Sequence, residues 1–313
     1  MSAHAAGAGP GAGMAGSPSS PIEARGRIKL PPSLASWLQV GPLALVLLLF
    51  FGVPMIVVFI VSFFDFEQVT IIPTFILDNY HDIFTSNLTI ELYLSTLRFA
   101  VVVWAVTLVI GFTLANFLVF HVRSLIVKLG LFALVSVPFW TSDIIRMIAW
   151  IPFLGRDGLV NSALLDVHVI SHPLTFLLFS RFAVVVSYVH LFTLFMVVPI
   201  FNSMVRIDPA LIEAARDAGA SRWWILREIV IPLSKSGIAL GTIFVVTQVM
   251  GDFFVVQVMS GGQSASVVSA LQQEIGAMQY PPAAASAVVL VIVVLLMVAA
   301  VLRVVDVRKE LVA

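Results

Sequence analysis

The chain has 313 residues, 60% hydrophobic and 11% charged, with 17 basic residues balancing 17 acidic ones and no cysteine. A soluble domain carries about 25% charged residues; at a mean hydropathy of +1.07 this chain has more apolar surface than a water-soluble fold can hide, so its solvent is lipid. Zero net charge argues against nucleic acid as a partner, and the lack of cysteine excludes disulfides, thiolate catalysis and cysteine-ligated metals.

Residues 1–36 are rich in Gly, Ala, Pro and Ser and show no hydrophobic periodicity, so they read as a flexible cytoplasmic tail. Gly11, Gly13 and Gly16 fall in G-x-G-x-x-G spacing, but the strand and helix that a dinucleotide site needs around them are missing. The apolar run that follows is too long for a signal peptide and lacks a small-residue cleavage site.

Six apolar runs come next, at 41–63, 97–120, 129–154, 176–201, 238–259 and 284–304. Each is long enough for a helix to cross a hydrocarbon core about 30 Å thick. Barrel strands alternate apolar and polar residues, and these runs do not. The sequence predicts an all-α polytopic protein with six transmembrane helices. Pro54 is expected to bend the first helix. Gly111 and Ala115, one turn apart in the second, suit close helix contact. The third run holds Pro138, Asp143, Arg146 and Pro152, and reads as a broken helix or a helix plus a re-entrant piece.

The basic residues set the orientation. With a cytoplasmic N-terminus, Arg25, Arg27, Lys29, Arg123, Lys128, Arg206, Arg216, Arg222, Arg227, Lys235, Arg303, Arg308 and Lys309 all fall on the cytoplasmic side. Loop 64–96 has acidic residues and no Lys or Arg, and loop 260–283 has no Lys or Arg either. Both termini and the loop between spans four and five are therefore expected in the cytoplasm.

That loop holds Glu213-Ala214-Ala215, then Gly219 after three residues, Ile229 after nine more, and Pro232. Asp208-Pro209 is a good helix start. A short helix over 209–218 should end at Gly219 in a left-handed conformation. Ser221 should cap a second helix, 222–230, which Pro232 stops or bends. Ala214, Ala215 and Ala218 give this elbow a small-residue surface, and Ile212, Trp223, Trp224 and Ile225 give it apolar anchors.

The spaced pattern resembles the coupling loop of ABC importer permeases, EAA, three residues, G, nine residues, I-x-L-P, with Ile231 in place of the usual Leu. Resemblance extends over nearly all of 40–305. Phe139-Trp140-Thr141-Ser142, Arg146, Ala149-Trp150, Leu154-Gly155-Arg156-Asp157-Gly158 and Asn161 are similar to the third-span region of the spermidine/putrescine-type branch. Leu77-Asp78-Asn79-Tyr80, Gly251-Asp252-Phe253 and Gly261-Gly262 match further motifs of that branch. The resemblance implies a type I ABC importer permease fold. Residues 37–313 would form the transmembrane permease domain, with the coupling loop at 202–237. Glu213, Ala214, Ala215, Gly219, Ile229 and Pro232 would be its ATPase-coupling residues.

It also implies partners: an ABC ATPase dimer that binds ATP and Mg, a second permease subunit, often related but different, and a periplasmic or lipid-anchored substrate-binding protein. The expected location is the bacterial inner membrane. The expected solute is a polyamine; relatives in the branch also import opines, aminophosphonates, thiamine or ferric iron. The chain lacks a G-x-x-x-x-G-K-[ST] phosphate loop, so ATP hydrolysis is expected on the partner and no cofactor on this chain. An ion-coupled secondary transporter is the alternative class, but no internal repeat points to one.

Within the spans, Asp143 and Arg146 are three residues apart, Trp140 is one turn from Asp143, and Asp252 lies near the outer end of span five. Two readings stand. Trp140, Asp143 and Asp252 line a substrate pathway, with the carboxylates as counter-charges to an amine and Trp140 as a cation–π face. Alternatively, Asp143 and Arg146 form a structural pair, and Asp252 caps or gates. His168 and His172 lack a third ligand and precede Pro173, so no metal site is expected. His190 reads as hydrogen-bonded packing.

Overall fold

A computed structural model describes residues 32–67 and 70–304. Gly11, Gly13, Gly16 and most of the 1–36 tail lie outside those residues. Helix α1 (Pro32–Leu47) nevertheless starts inside the segment read as tail. The described chain divides into two units, one ending at Val53 and one beginning at Pro54. In the first, α1 runs into a π-helical turn, Leu48–Gly52, where the Val53 amide donates to the Leu48 carbonyl. The turn lies just before Pro54, whose ring would otherwise meet a carbonyl of the preceding turn. Helix α2 (Val53–Val61) follows.

The second unit continues with a small hairpin, β1 (Asp65–Glu67) and β2 (Thr70–Ile72), antiparallel with Phe66 opposite Ile71. An all-α reading did not include it. Helix α3 (Asp78–Thr85) then pins the end of α2. Asn79 Nδ2 donates to the Ser62 and Phe64 carbonyls at 3.1 and 2.9 Å, and the Tyr80 and Ser62 hydroxyls are 2.7 Å apart.

Helix α4 (Asn87–Phe120) is capped by Ser86, which accepts from the Thr89 amide. Its 34 residues rise about 51 Å, more than a bilayer core needs. It therefore begins ten residues ahead of the apolar run predicted at 97. The extra turns carry Glu91, which pairs with Arg98 of the apolar run at 2.8 Å.

The third apolar run is broken, as its prolines implied. Helix α5 (Leu125–Ser136) passes through a 3-10 turn, Val137–Trp140, and after Thr141-Ser142 the chain restarts as α6 (Asp143–Ile148), α7 (Trp150–Leu154) and α8 (Leu159–Asp166). The two halves meet at 97°. Asn161 closes the loop that follows: its amide donates to the Gly155 and Leu174 carbonyls and accepts from the Leu174 amide.

Helix α9 (Arg181–Met204) starts at Ser180, which accepts from the Ala183 amide. After it come α10 (Pro209–Asp217) and the segment Arg222–Leu233, built of α11 (Arg222–Ile225), a π turn (Leu226–Val230) and α12 (Ile231–Leu233). That segment meets α13 (Lys235–Gly251) at 67°. The predicted fifth span ran to 259, but helix stops at Gly251 and resumes as α14 (Phe254–Met259). Helix α15 (Val267–Gly276), with a Ser266/Ser269 capping box, and α16 (Tyr280–Val304) complete the unit. Among the described residues, four helices are long and apolar enough to cross a membrane, and six spans result if each bent pair counts as one.

The core lies where α4, α9 and α13 meet. Between helices in lipid there is no hydrophobic force to exploit, so association depends on close packing and small residues. Met196 of α9 is fully buried between two such positions. A β-carbon on Gly111 of α4 would sit 2.8 Å from its Cγ, and one on Gly241 of α13 would sit 2.7 Å from its Sδ. Ala115 is fully buried one turn below Gly111. Trp104 Nε1 donates to Thr242 Oγ1 at 2.9 Å, joining α4 to α13.

At Gly237 a β-carbon would collide with the Pro199 carbonyl and Ile200 Cα, which are backbone and cannot step aside. At Gly111 the first obstacle is the Met196 side chain, which can yield. Gly237→Ala should therefore lower the melting temperature of the detergent-purified protein more than Gly111→Ala, at a cost of about 1–3 kcal/mol. The reverse order would show that α9–α13 contact is not the tighter of the two.

Candidate functional site

The elbow between α9 and α13 forms as its residues dictate. Asp208 caps α10 by accepting from the Ala210 amide, with Pro209 at the first helical position. Gly219 has φ +83°, a left-handed conformation that side chains resist. The Gly219 and Ala220 amides close α10 by donating to the Arg216 and Ala215 carbonyls. Ser221 then caps α11, accepting from the Trp224 amide at 3.2 Å. The second helix of the elbow runs on past the expected 230. The π turn over Leu226–Val230 lies immediately ahead of Pro232, so the helix reaches Leu233 before the chain bends.

The four apolar anchors split in two. Ile212 and Ile225 are buried in the main core and fasten one helix each of the elbow to it. Trp223 and Trp224 stay outside, 70% and 50% exposed. Glu213 and Ala214 are exposed, and Ile229 and Pro232 are half-buried. A recess of about 560 Å³ opens on the elbow, lined by Ala215, Ala218, Gly219, Ala220, Ser221, Trp224 and Ile229. Ala215, Gly219 and Ile229 of the spaced motif thus share one small-residue concavity, while Glu213, Ala214 and Pro232 do not line it. Such a surface admits another protein's backbone or side chains closely.

The intramembrane residues separate. Arg146 is buried, 8% exposed, and donates through Nη2 to Asp143, which is 63% exposed at the start of α6. Trp140 ends the 3-10 turn on the other side of the 97° break and is 87% exposed. It does not continue the helix that carries Asp143. Asp252 follows α13, and its Oδ1 accepts from the Tyr188 hydroxyl at 3.1 Å and the Val255 amide at 2.9 Å. It therefore closes the gap between α13 and α14 and ties both to α9. Tyr188 is fully buried, and nothing in the sequence marked it, because its partner is 64 residues away. His190 Nδ1 accepts from Trp150 Nε1 at 3.1 Å, as a packing role requires. His168 and His172 fall beyond the end of α8, His168 at φ +57°, so they share no helix face.

The glycine motifs also have physical roles. At Gly158 a β-carbon would meet the Pro152 carbonyl at 2.7 Å and the Gly155 amide at 2.8 Å. Gly261 and Gly262 have φ +58° and +79°. A polar cavity of about 390 Å³, which sequence reasoning missed, lies between α3, the start of α4, and α15–α16, with Asp82, Thr85, Ser86, Thr89 and Glu274 on its wall. Glu274 Oε2 is buried without a hydrogen-bond partner among the described residues, and burial raises the carboxyl above its ordinary range.

No protein-family model matches the chain. The spermidine/putrescine transport system permease protein PotB of Escherichia coli (strain K12) is 34% identical over 230 residues, which cover 72% of this chain and 81% of that protein. PotB of Salmonella typhimurium (strain SL1344) is 34% identical over 227 residues, covering 72% and 78%. A chain in the crystal structure of a bacterial alginate ABC transporter, in complex with an alginate pentasaccharide-bound periplasmic protein, superposes with a TM-score of 0.70 at 19% identity. That superposition covers 86% of this chain and 93% of the other, and it is a likeness of fold.

A raised folded-state value means that the folded chain keeps the Glu274 proton to a higher pH than the unfolded chain does. Stability is then fully present below the ordinary carboxylate range and declines as pH rises through it toward the raised value. Glu274→Gln should remove that decline. Its melting temperature should exceed the wild type's at about pH 8, with the difference closing near about pH 4. A difference that does not change with pH would show that Glu274 is not the titrating group.

Proposed function

The chain belongs to the ABC importer permeases of the spermidine/putrescine type, and from that premise we propose that it forms half of an ATP-driven translocation pathway for a polyamine in the bacterial inner membrane. The 34% identity to a spermidine/putrescine permease across 72% of the chain carries the reading. In it, both termini and the elbow lie in the cytoplasm. An ATPase dimer, which binds ATP and Mg, receives the elbow at the recess lined by Ala215, Gly219 and Ile229. Glu213 makes polar contacts at its edge, and Pro232 transmits motion into α13. A second, related permease completes the pore, and a periplasmic or lipid-anchored binding protein delivers the solute. This chain contributes no catalytic residue and binds no cofactor of its own.

The geometry supports a mechanical role for the elbow. Ile212 and Ile225 hold it to the core, so a pull on α10 reaches α9 and α13 rather than only stretching a loop. The intramembrane carboxylates serve different ends in this reading. Asp143 is neutralised by Arg146 and fixes the broken third span. Asp252 stands between α13, α14 and Tyr188, where a passing ammonium group competes with the tyrosine for the carboxylate. Trp140, exposed at the break, offers it a cation–π face.

Gly219→Val forces a β-branched side chain into a left-handed conformation, at about 1–3 kcal/mol of strain. Together with Glu213→Ala, it should abolish co-purification of the ATPase and cut ATP-driven spermidine uptake by about tenfold or more, a loss of about 1.4 kcal/mol in coupling. Asp252→Asn should lower uptake while leaving the ATPase bound. Uptake that survives without any ATPase would overturn the assignment. Because the chain has no cysteine, Asp217→Cys and Asp78→Cys report orientation without background. An impermeant maleimide should reach the first only from the cytoplasmic side and the second only from outside, and the opposite pattern would reverse the topology.

A further inference from the structure

Trp223 and Trp224 are neighbours in sequence but line different recesses. Trp224 belongs to the small-residue concavity described above. Trp223 belongs to a second, of about 600 Å³, set between the cytoplasmic end of α4 and the elbow. Three arginines stand around it: Arg123 just past α4, Arg216 on α10 and Arg222 at the start of α11. No Asp or Glu lines it. Among the described residues, none of the three arginines forms an ion pair. Its wall also carries Phe120, Ile212, Ile225, Leu226 and Val230, together with the polar Asn116 and His121.

We propose that this recess binds the headgroup of an anionic phospholipid, whose phosphate sits among Arg123, Arg216 and Arg222 and whose glycerol backbone lies on the apolar wall. Three features fit a lipid rather than free phosphate. The arginines are exposed and spread around an open rim, whereas a small dianion is best held in a tight, buried cradle. Much of the wall, Phe120, Ile212, Ile225, Leu226 and Val230, is apolar, which a phosphate ion does not use but an acylglycerol does. Finally, the recess begins where α4 leaves its apolar run, at the level where basic side chains meet lipid headgroups and where an exposed tryptophan such as Trp223 is at home.

The site would matter because of what it joins. Arg123 belongs to the end of one span, and Arg216 and Arg222 to the two helices of the elbow. A headgroup lying among them would tie the elbow to α4 across a gap that no described ion pair crosses. The inference goes beyond the transport reading and requires only that the elbow lie at a membrane surface. It is tested in detergent, without ATPase, substrate or a defined membrane side. Failure here therefore leaves uptake and labelling results untouched.

The full-length chain, purified in detergent without an ATPase, is titrated with phosphatidylglycerol or phosphatidylcholine of the same acyl chains, and bound lipid is counted by native mass spectrometry. Wild type should bind phosphatidylglycerol in preference. An arginine near an anionic headgroup contributes about fivefold in affinity, so Arg123→Gln with Arg222→Gln should weaken phosphatidylglycerol binding about twentyfold and leave phosphatidylcholine unchanged. Arg123→Lys with Arg222→Lys should restore most of it, and Arg227→Gln, outside the recess, should have no effect. If the double variant does not fold, Arg123→Gln alone should still show the fivefold loss. Equal phosphatidylglycerol binding by wild type and variants would overturn the proposal. So would displacement of the lipid by millimolar inorganic phosphate, which would mark a free-phosphate site.

Discussion

The packing of Met196 between glycines on two neighbouring helices is the contact on which the bundle depends. Lipid chains are as apolar as leucine, so helices gain nothing by merely being greasy; they gain by approaching closely. Gly111 and Gly241 let α4 and α13 close on α9, and Gly237 does the same a turn further along, against the backbone at Pro199 and Ile200. Two further long-range ties, Trp104–Thr242 and Tyr188–Asp252, span helices whose spacing those contacts set. The elbow inherits its position in the same way, since Ile212 and Ile225 are part of that core.

Much of the architecture was legible in the chain because lipid makes hydropathy a direct reading of position. The apolar runs became helices, and Pro138 with Pro152 announced the broken third span. Boundaries were less legible. Helix α4 starts ten residues early because Ser86 caps it, and a single capping serine carries little weight beside twenty apolar residues. Helix α13 stops at Gly251 although the apolar run continues to 259, because Asp252 serves as an acceptor for Val255 and Tyr188 rather than as one more helical residue. The hairpin at 65–72 was missed because two three-residue strands leave no periodicity to detect.

The elbow was the most readable part of the candidate site, because its signals are local: Asp208-Pro209, Gly219 and Ser221 each act within three residues of themselves. The intramembrane charges were the least readable. The spacing of Asp143 and Arg146 allowed a pair as one of two readings, but it did not place Trp140 across a 97° break from them. Tyr188 and Glu274 could not have been singled out at all. Their surroundings are assembled from segments far apart in the chain, and only the fold brings those segments together.

The π turn at Leu226–Val230 has a consequence for the direction in which the elbow faces. Such a turn is an α-helix with one extra residue squeezed in, and each residue of an α-helix advances the rotation by about 100°. The helical phase upstream of Leu226 is therefore offset from that of Ile231 onward by the insertion. Shortening 226–230 by one residue would leave a regular helix, and every side chain before it would swing by roughly a quarter-turn. Trp223 and Trp224 would then face other neighbours, and the spacing of Ile229 from Gly219 or Pro232 would change with them. The bearing of the elbow on the bundle is thus held by a residue count, and the stretch Leu226–Val230, around the motif's Ile229, is what keeps the tally.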